Sequence, residues 1–423
     1  MTHEADPDTL IVQTDRAMRA FFPEPPGVIG VALSGGGDST ALVHLLADWG
    51  RAQGVEIRAL SVDHGLRAEA RAEIAQAAAL CRTLDIPHEV ADWHWDGQGN
   101  LQDAARRGRR ARLAGWARQA GLAAVALGHT ADDQAETVLM RLARGSGVDG
   151  LAGMAPEREA EGVRFIRPLL GAGRAALRDY LRARGVAWSD DPSNDDPRFD
   201  RVRARRMLEA LAPLGLSVDR LCRTAGHMAR AQEVLERAAA DLAARAVRQE
   251  AGDLILDHGA LRAAPRDTAT RVLSQALCWV SASRYRPRYD ALVTMLDAGT
   301  PGALHGCLAL RDEEGLRLVR EPSAVTDQEA APGAPWDGRW IVTGPHVQGA
   351  RVRMLGEEGL RRVPGWRQTN RPRTALLSSP AVWMGETLIA APLAGWAQGW
   401  QADLCPEWAE FPPRRSAAMQ ISR

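Results

Sequence analysis

The chain has 423 residues, with 53 basic against 53 acidic side chains and a formal net charge of zero. That length suggests two or three domains of roughly 100–200 residues each, and the 45% apolar and 25% charged shares are those of an ordinary globular protein. No apolar run approaches the roughly 18 residues of a membrane span, and the acidic start MTHEADPDTL lacks the pattern of a signal peptide. Five widely spaced cysteines without a C-x-x-C pair exclude a disulfide scaffold and argue against a zinc or redox centre, so a reducing cytoplasm is expected. The chain contains no lysine; every basic residue is arginine. A Walker-type P-loop and Schiff-base catalysis, which both need a lysine, are excluded.

The first half alternates strand and helix signals. Gly27–Ser34 reads as a strand, Thr40–Arg51 as a helix, Val55–Val62 as a strand and Ala68–Leu84 as a helix. Pro87–Trp95 is extended, Leu101–Gln119 helical, Ala123–Leu127 a strand and Ala131–Arg144 a helix. This is the pattern of a doubly wound parallel α/β sheet, whose ligands bind at the carboxyl ends of strands, just after Leu33, Val62 and Leu127. Ser217–Gln249 is helical, a helix near Thr270–Ser281 follows, and a hairpin is predicted around Asp312–Gly315. Glu321–Asp337 is a Pro/Ala/acidic stretch without periodicity and reads as a linker. Beyond it, 338–423 holds six of the thirteen tryptophans and strand-like pieces such as Trp383–Ala390. The expected division is a catalytic domain over 1–215, a mostly helical domain over 216–320, a linker over 321–337 and a smaller α+β domain over 338–423.

Charge is unevenly placed. Residues 101–120 carry six arginines against one acid, and 201–230 carry seven against two. Such clusters suit an anionic macromolecule, though a solvated helix face is the simpler reading of either alone.

Ser34-Gly35-Gly36-Gly37-Asp38-Ser39 follows the first strand and opens a helix. Its glycines let backbone N–H groups converge on phosphate oxygens at a helix N-terminus, and Ser34 and Ser39 add hydroxyls. The spacing does not fit a dinucleotide fingerprint. A second constellation, His129-Thr130-Ala131-Asp132-Asp133-Gln134-Ala135-Glu136-Thr137, follows the strand ending at Leu127. Thr130 and Asp133 predict a capped helix start, and Asp132, Asp133 and Glu136 place carboxylates on its first turns, able to hold Mg²⁺ or an ammonium group.

The hexapeptide resembles the S-G-G-x-D-S signature of the ATP pyrophosphatase superfamily. Within it, the second constellation, the following Leu142–Leu151, Val62–Arg67, Arg167-Pro168-Leu169-Leu170 with Arg174, and Asp190–Asn194 with the arginines of 201–206 resemble the tRNA(Ile)-lysidine synthetase family. A weaker resemblance runs through Arg351–Leu393, around Val363–Arg367.

The resemblance implies an ATP-dependent carbon–nitrogen ligase that adenylates the C2 oxygen of the wobble cytidine in the isoleucine tRNA with a CAU anticodon. L-lysine then displaces AMP to give lysidine. ATP would bind at Ser34, Gly35, Gly36, Gly37, Asp38 and Ser39, with Mg²⁺ at Asp38. His129, Asp132, Asp133 and Glu136 would serve catalysis or lysine binding. Arg106, Arg109, Arg144, Arg201, Arg203, Arg205 and Arg367 would contact tRNA, with neither membrane nor DNA as partner. A thiolating relative would need relay cysteines, and an amide-forming one a glutaminase domain or N-terminal nucleophile; neither feature is found. A non-catalytic tRNA-binding relative remains the alternative from another class.

Overall fold

The computed structural model describes residues 7–63, 65, 69–95, 97, 101–189, 198, 200–313 and 315–412. The chain forms two compact units, Met1–Gln232 and Glu233–Arg423.

The first unit contains helix α1 (Pro7–Phe21), strand β1 (Val28–Ala32), α2 (Gly37–Gln53), β2 (Glu56–Asp63), α3 (Glu69–Thr83) and β3 (His88–Asp92). It continues with α4 (Leu101–Gln119), β4 (Val125–Ala126), α5 (Ala131–Ala143), α6 (Val148–Leu151), β5 (Glu157–Ala160) and β6 (Val163–Ile166). Then come α7 (Arg174–Ala183), α8 (Asp200–Leu211) and α9 (Val218–Ala246), within which the division falls. The strand order is β3-β2-β1-β4-β6-β5, parallel except for β5, which pairs antiparallel with β6. Alternation along the strands separates the two faces. Ile29, Val31 and Leu33 join the core that α1, α2, α3 and α7 cover, while Ala32, Leu60 and Val125 pack with Leu113, Ala114 and Trp116 of α4. The doubly wound reading therefore holds, with an antiparallel edge hairpin added. Chain order reverses between β1 and β4, which opens the crevice where such sheets bind ligands.

The second unit opens with β7 (Val247–Glu250), β8 (Asp253–Leu256), α10 (His258–Ala263), α11 (Arg266–Ser281), α12 (Tyr289–Ala298), β9 (Gly302–Leu304), β10 (Cys307–Asp312) and β11 (Gly315–Arg320). These strands form an antiparallel sheet in the order β7-β8-β11-β10-β9, and Asp312 faces Gly315 in the predicted hairpin. β12 (Pro335–Trp336), β13 (Trp340–Thr343), β14 (Arg351–Met354), α13 (Gly356–Arg361), α14 (Arg373–Leu377), β15 (Pro380–Met384), β16 (Thr387–Ala390) and β17 (Gln401–Leu404) complete it. They build two three-stranded sheets, β12-β13-β17 and β14-β15-β16. Trp383–Ala390 is thus a hairpin rather than one strand.

The stretch 321–337 corrects the linker expectation. Val325 and Trp336 are buried in one apolar cluster with Val342 and Val352, and Arg320 clamps Asp337 with two bonds of 2.8 Å. Too few apolar residues give it a period, yet these anchors hold it. Residues beyond it also share a core with the helices: Cys405 and Trp408 pack in the cluster of Leu254, Leu273 and Trp279. Arg339 is buried at 1% exposure over the Trp279 ring and donates to the carbonyls of Val280 and Gly252 at 2.6 Å each. Deleting 338–423 would therefore breach this core rather than remove a separate domain. Arg339→Ala should lower the stability of the second unit by about 2–5 kcal/mol, because it unpairs two buried carbonyls and leaves a cavity. Urea unfolding followed by tryptophan fluorescence measures this; a loss below about 1 kcal/mol would contradict it.

Candidate active site

The phosphate-loop sequence turns sharply out of β1. Gly35 sits at φ +81, where a side chain would be strained, and Gly36 precedes the first turn of α2. Ser34 and Ser39 share a hydroxyl hydrogen bond of 3.0 Å, the Ser34 N–H donates to Ser39 Oγ at 3.2 Å, and the Ser39 hydroxyl donates to the Gly36 carbonyl at 3.0 Å. The two serines thus close the loop on itself. Gly36 also forms a parallel bridge with Ser189, whose N–H donates to the Gly35 carbonyl at 3.0 Å. The Ser189 contact is absent from the sequence reading because it crosses some 150 residues.

The second constellation lies directly against this loop. A Cβ on Gly128 would come within 3.1 Å of Ser39 Cα and N, so only glycine lets the two segments approach so closely. Thr130 caps α5 as predicted. Its Oγ1 accepts from the Asp133 N–H at 3.3 Å, while Asp133 Oδ2 accepts from the Thr130 N–H at 2.9 Å and its hydroxyl at 3.0 Å.

Arg174, the first residue of α7, joins the two constellations. Its guanidinium donates to Asp38 Oδ2 at 3.2 Å, Asp133 Oδ1 at 3.2 Å and Glu136 Oε1 at 3.4 Å, and its backbone N–H donates to Asp132 Oδ2 at 2.7 Å. All four candidate carboxylates therefore converge on one arginine, which the sequence alone does not single out as a site residue. Two arginines nominated for RNA contact also turn inward. Arg201 donates to Asp133 Oδ1 at 3.4 Å and Arg205 to Glu136 Oε1 at 3.1 Å. Their i,i+4 spacing on α8 puts both on one face, and this was the available signal.

The other nominees are dispersed. Arg106 is exposed on α4, and Arg109 is half-buried there. Arg144 and Arg203 both pair with Asp200 at the surface, and Arg367, in the second unit, stacks 4.5 Å from the centroid of Trp366. In the Val62–Arg67 motif, the Gly65 N–H donates to Asp63 at 2.8 Å, but His64, Leu66 and Arg67 lie outside the described residues, as does Asp190–Asn194.

Burial sets the electrostatics. Desolvation raises the Asp38 pKa despite Arg174. It pushes the same way at Asp133, but Arg174, the Thr130 N–H and Arg201 outweigh it and hold that carboxyl below its usual range. His129 falls to about 4, through burial first and then Arg167, so it is neutral at pH 7. Its Nδ1 and the Oε2 of Glu136 are buried with no hydrogen-bond partner among the described residues. A histidine whose folded pKa lies below its unfolded value, about 6.5, costs nothing above that value and destabilises the fold progressively as pH falls toward 4. His129→Asn should therefore flatten the acid-side loss of stability between pH 6.5 and 4. Urea midpoints across that range check it, and parallel wild-type and variant curves would contradict it.

Residues 10–211 match the family model described as a PP-loop domain. The chain is 48% identical over 392 residues to a tRNA(Ile)-lysidine synthase from Ruegeria pomeroyi, covering 91% of this chain and 93% of that protein. This chain belongs to the tRNA(Ile)-lysidine synthase family. Relatives of the same name from Methylobacterium sp. and Bradyrhizobium sp. are 40% and 39% identical, over 70% and 72% of this chain and 89% of each relative. Membership makes the chain an ATP-using ligase of tRNA modification, its PP-loop domain coinciding with the loop and acidic helix described above. No helix among the described residues is long and apolar enough to cross a membrane.

Proposed function

We propose that this chain adenylates the C2 oxygen of the wobble cytidine in the isoleucine tRNA with a CAU anticodon. It then joins L-lysine at C2, releasing AMP, and the codon read changes from AUG to AUA. One observation supports the site assignment: the phosphate loop and the acidic helix meet across Arg174, so the loop we read as the ATP cradle adjoins a carboxylate cluster. Cytidine C2 carries a carbonyl oxygen that is a poor leaving group, and its attack on the α-phosphorus of ATP expels pyrophosphate and makes that oxygen part of AMP. The lysine amine then adds at C2, AMP leaves with the C2 oxygen, and the amine gives up a proton.

In this reading the N–H groups of 35–37 and the N-terminus of α2 receive the phosphates. Buried Glu136, 1% exposed, and Asp133 receive the ammonium. Magnesium fits through Asp38, whose carboxylate stands in the first turn of α2 beside the phosphate loop. Mg²⁺ commonly takes one or two carboxylates together with substrate phosphates. When bound it would supply Lewis-acid stabilisation of phosphate charge.

We assign catalysis to 1–215 and the remaining segments, 216–320 and 338–423, to tRNA contact. Exposed Arg106, Arg144 and Arg203, and half-buried Arg109, serve RNA binding from the first unit. Arg201 and Arg205 primarily hold the acids. A cytoplasmic setting suits five free cysteines, four of them buried. Arg367 stacked on Trp366 suits phosphate contact beside base stacking. Arg367→Ala should weaken tRNA binding about equally for different sequences and reduce the salt slope by about 1. Filter binding at several salt concentrations checks this; an unchanged slope would remove Arg367 from the interface. The reaction itself is tested by ATP–pyrophosphate exchange, expected to need the CAU-anticodon tRNA but not lysine. Exchange without tRNA would contradict adenylation of the tRNA base.

A further inference from the structure

We propose that Arg174 is an interlock that makes lysine binding depend on ATP: it holds the ammonium's place among the carboxylates until phosphates draw it away. The inference rests on the lysine-binding reading of Asp133 and Glu136 above.

Three observations carry it. The first is occupancy. The oxygens an incoming ammonium would need are already taken: Asp133 Oδ1 by Arg174 and Arg201, Glu136 Oε1 by Arg174 and Arg205. Among the described residues, Glu136 Oε2 is the one oxygen of Asp133 and Glu136 that is buried without a partner, and one oxygen is a poor site for an ammonium with three donors.

The second observation is which arginine can leave. The three guanidinium contacts of Arg174, at 3.2–3.4 Å, are longer than the about 2.7–2.9 Å of strong charge-assisted bonds. The guanidinium is shared among three acids and committed to none. Its main chain, by contrast, is pinned to Asp132 at 2.7 Å, and the Ala131 N–H donates to the Ala172 carbonyl at 2.9 Å. The side chain can therefore swing while α7 stays in place.

The third observation is where it would go. Its Nε contacts Asp38, in the first turn of α2, so the guanidinium already stands at the mouth of the phosphate loop. A planar fork matches phosphate oxygens bidentately, which three divergent carboxylates do not offer. Once Arg174 turns to the phosphates, Asp133 Oδ1 and Glu136 Oε1 each lose one of two donors, and beside the unpartnered Glu136 Oε2 they offer the ammonium three acceptors. Arg201 and Arg205 keep the acids from bare repulsion. The amine then enters only a site that already holds its activating nucleotide.

The test is calorimetric titration of L-lysine into the full chain, with and without magnesium and an ATP analogue carrying a methylene between the α- and β-phosphorus. The wild-type chain should bind lysine about tenfold or more tightly with the analogue, and by linkage the analogue more tightly with lysine. In Arg174→Gln, lysine affinity without the analogue should rise toward the analogue-bound value and the dependence shrink below about twofold. Arg174→Lys, checked for a wild-type melting profile, covers the case where the glutamine variant fails to fold. Its single ammonium cannot span three acids, so its dependence should fall between the other two. Equal lysine affinity with and without the analogue in the wild-type chain would overturn the interlock alone. So would full analogue dependence in the folded variants. Binding of the analogue with no lysine binding in either state would overturn the lysine reading, and the interlock with it.

Discussion

Asp38→Ala should reduce adenylate formation by at least about 10²–10³-fold while tRNA affinity stays within about twofold. Asp38 lies in the first turn of α2, beside the loop whose amides are proposed to receive the phosphates, and its carboxylate anchors one edge of Arg174. Its removal takes away the carboxylate proposed to hold magnesium and unbalances the arginine that links both halves of the site. None of this touches the exposed arginines assigned to RNA. Ser34→Ala should follow in the same direction with a smaller loss, since it removes the hydroxyl bond that closes the loop onto Ser39. Pyrophosphate exchange at saturating ATP, with filter binding beside it, separates the two effects. Normal exchange by Asp38→Ala would end its assignment to the phosphate site.

Glu136→Gln should damage lysine use far more than ATP use. Removing one partner of a buried charge pair costs about 3–5 kcal/mol, or about 10²–10⁴ in kcat/KM for lysine. Glu136 is suited to the role because Oε1 is held by Arg174 and Arg205 while Oε2 is buried and unpaired. An amide at that place presents donors to an ammonium that needs acceptors. Asp133→Asn is a less clean experiment. Asp133 Oδ2 also completes the cap of α5, so the variant should lose roughly 0.5–2 kcal/mol of stability besides lysine use. Single-turnover assays that score lysine-independent adenylate and lysine transfer separately check both variants. Equal losses in the two steps would assign Glu136 to the metal or the scaffold.

The parts of this site that were legible in the sequence are those built from neighbours. A glycine loop between a strand and a helix, and a Thr-x-x-Asp helix start, carry their geometry locally, and both stand where they were expected. The hairpin at Asp312–Gly315 is legible for the same reason. What escaped depends on distant chain segments. Arg174 reaches Asp38 across 136 positions, and nothing around it in sequence announces the acids it meets. The arginines of α8 read as an RNA-facing cluster because composition ignores direction, yet Arg201 and Arg205 face the acids while Arg203 faces Asp200. The edge hairpin of β5 and β6 was missed because Glu157–Ile166 is short and half polar. In the second unit, 321–337 has a linker's composition, but Val325 and Trp336 fix it to a core assembled from later strands.

The most direct measurement is mass spectrometry of nucleosides from the CAU-anticodon isoleucine tRNA after incubation with ATP, magnesium and isotope-labelled L-lysine. The wobble cytidine should be heavier by one labelled lysine less one water, with one AMP and one pyrophosphate released per modified tRNA. ATP cleavage without transfer of the label, or a labelled product at any other nucleotide, would contradict it.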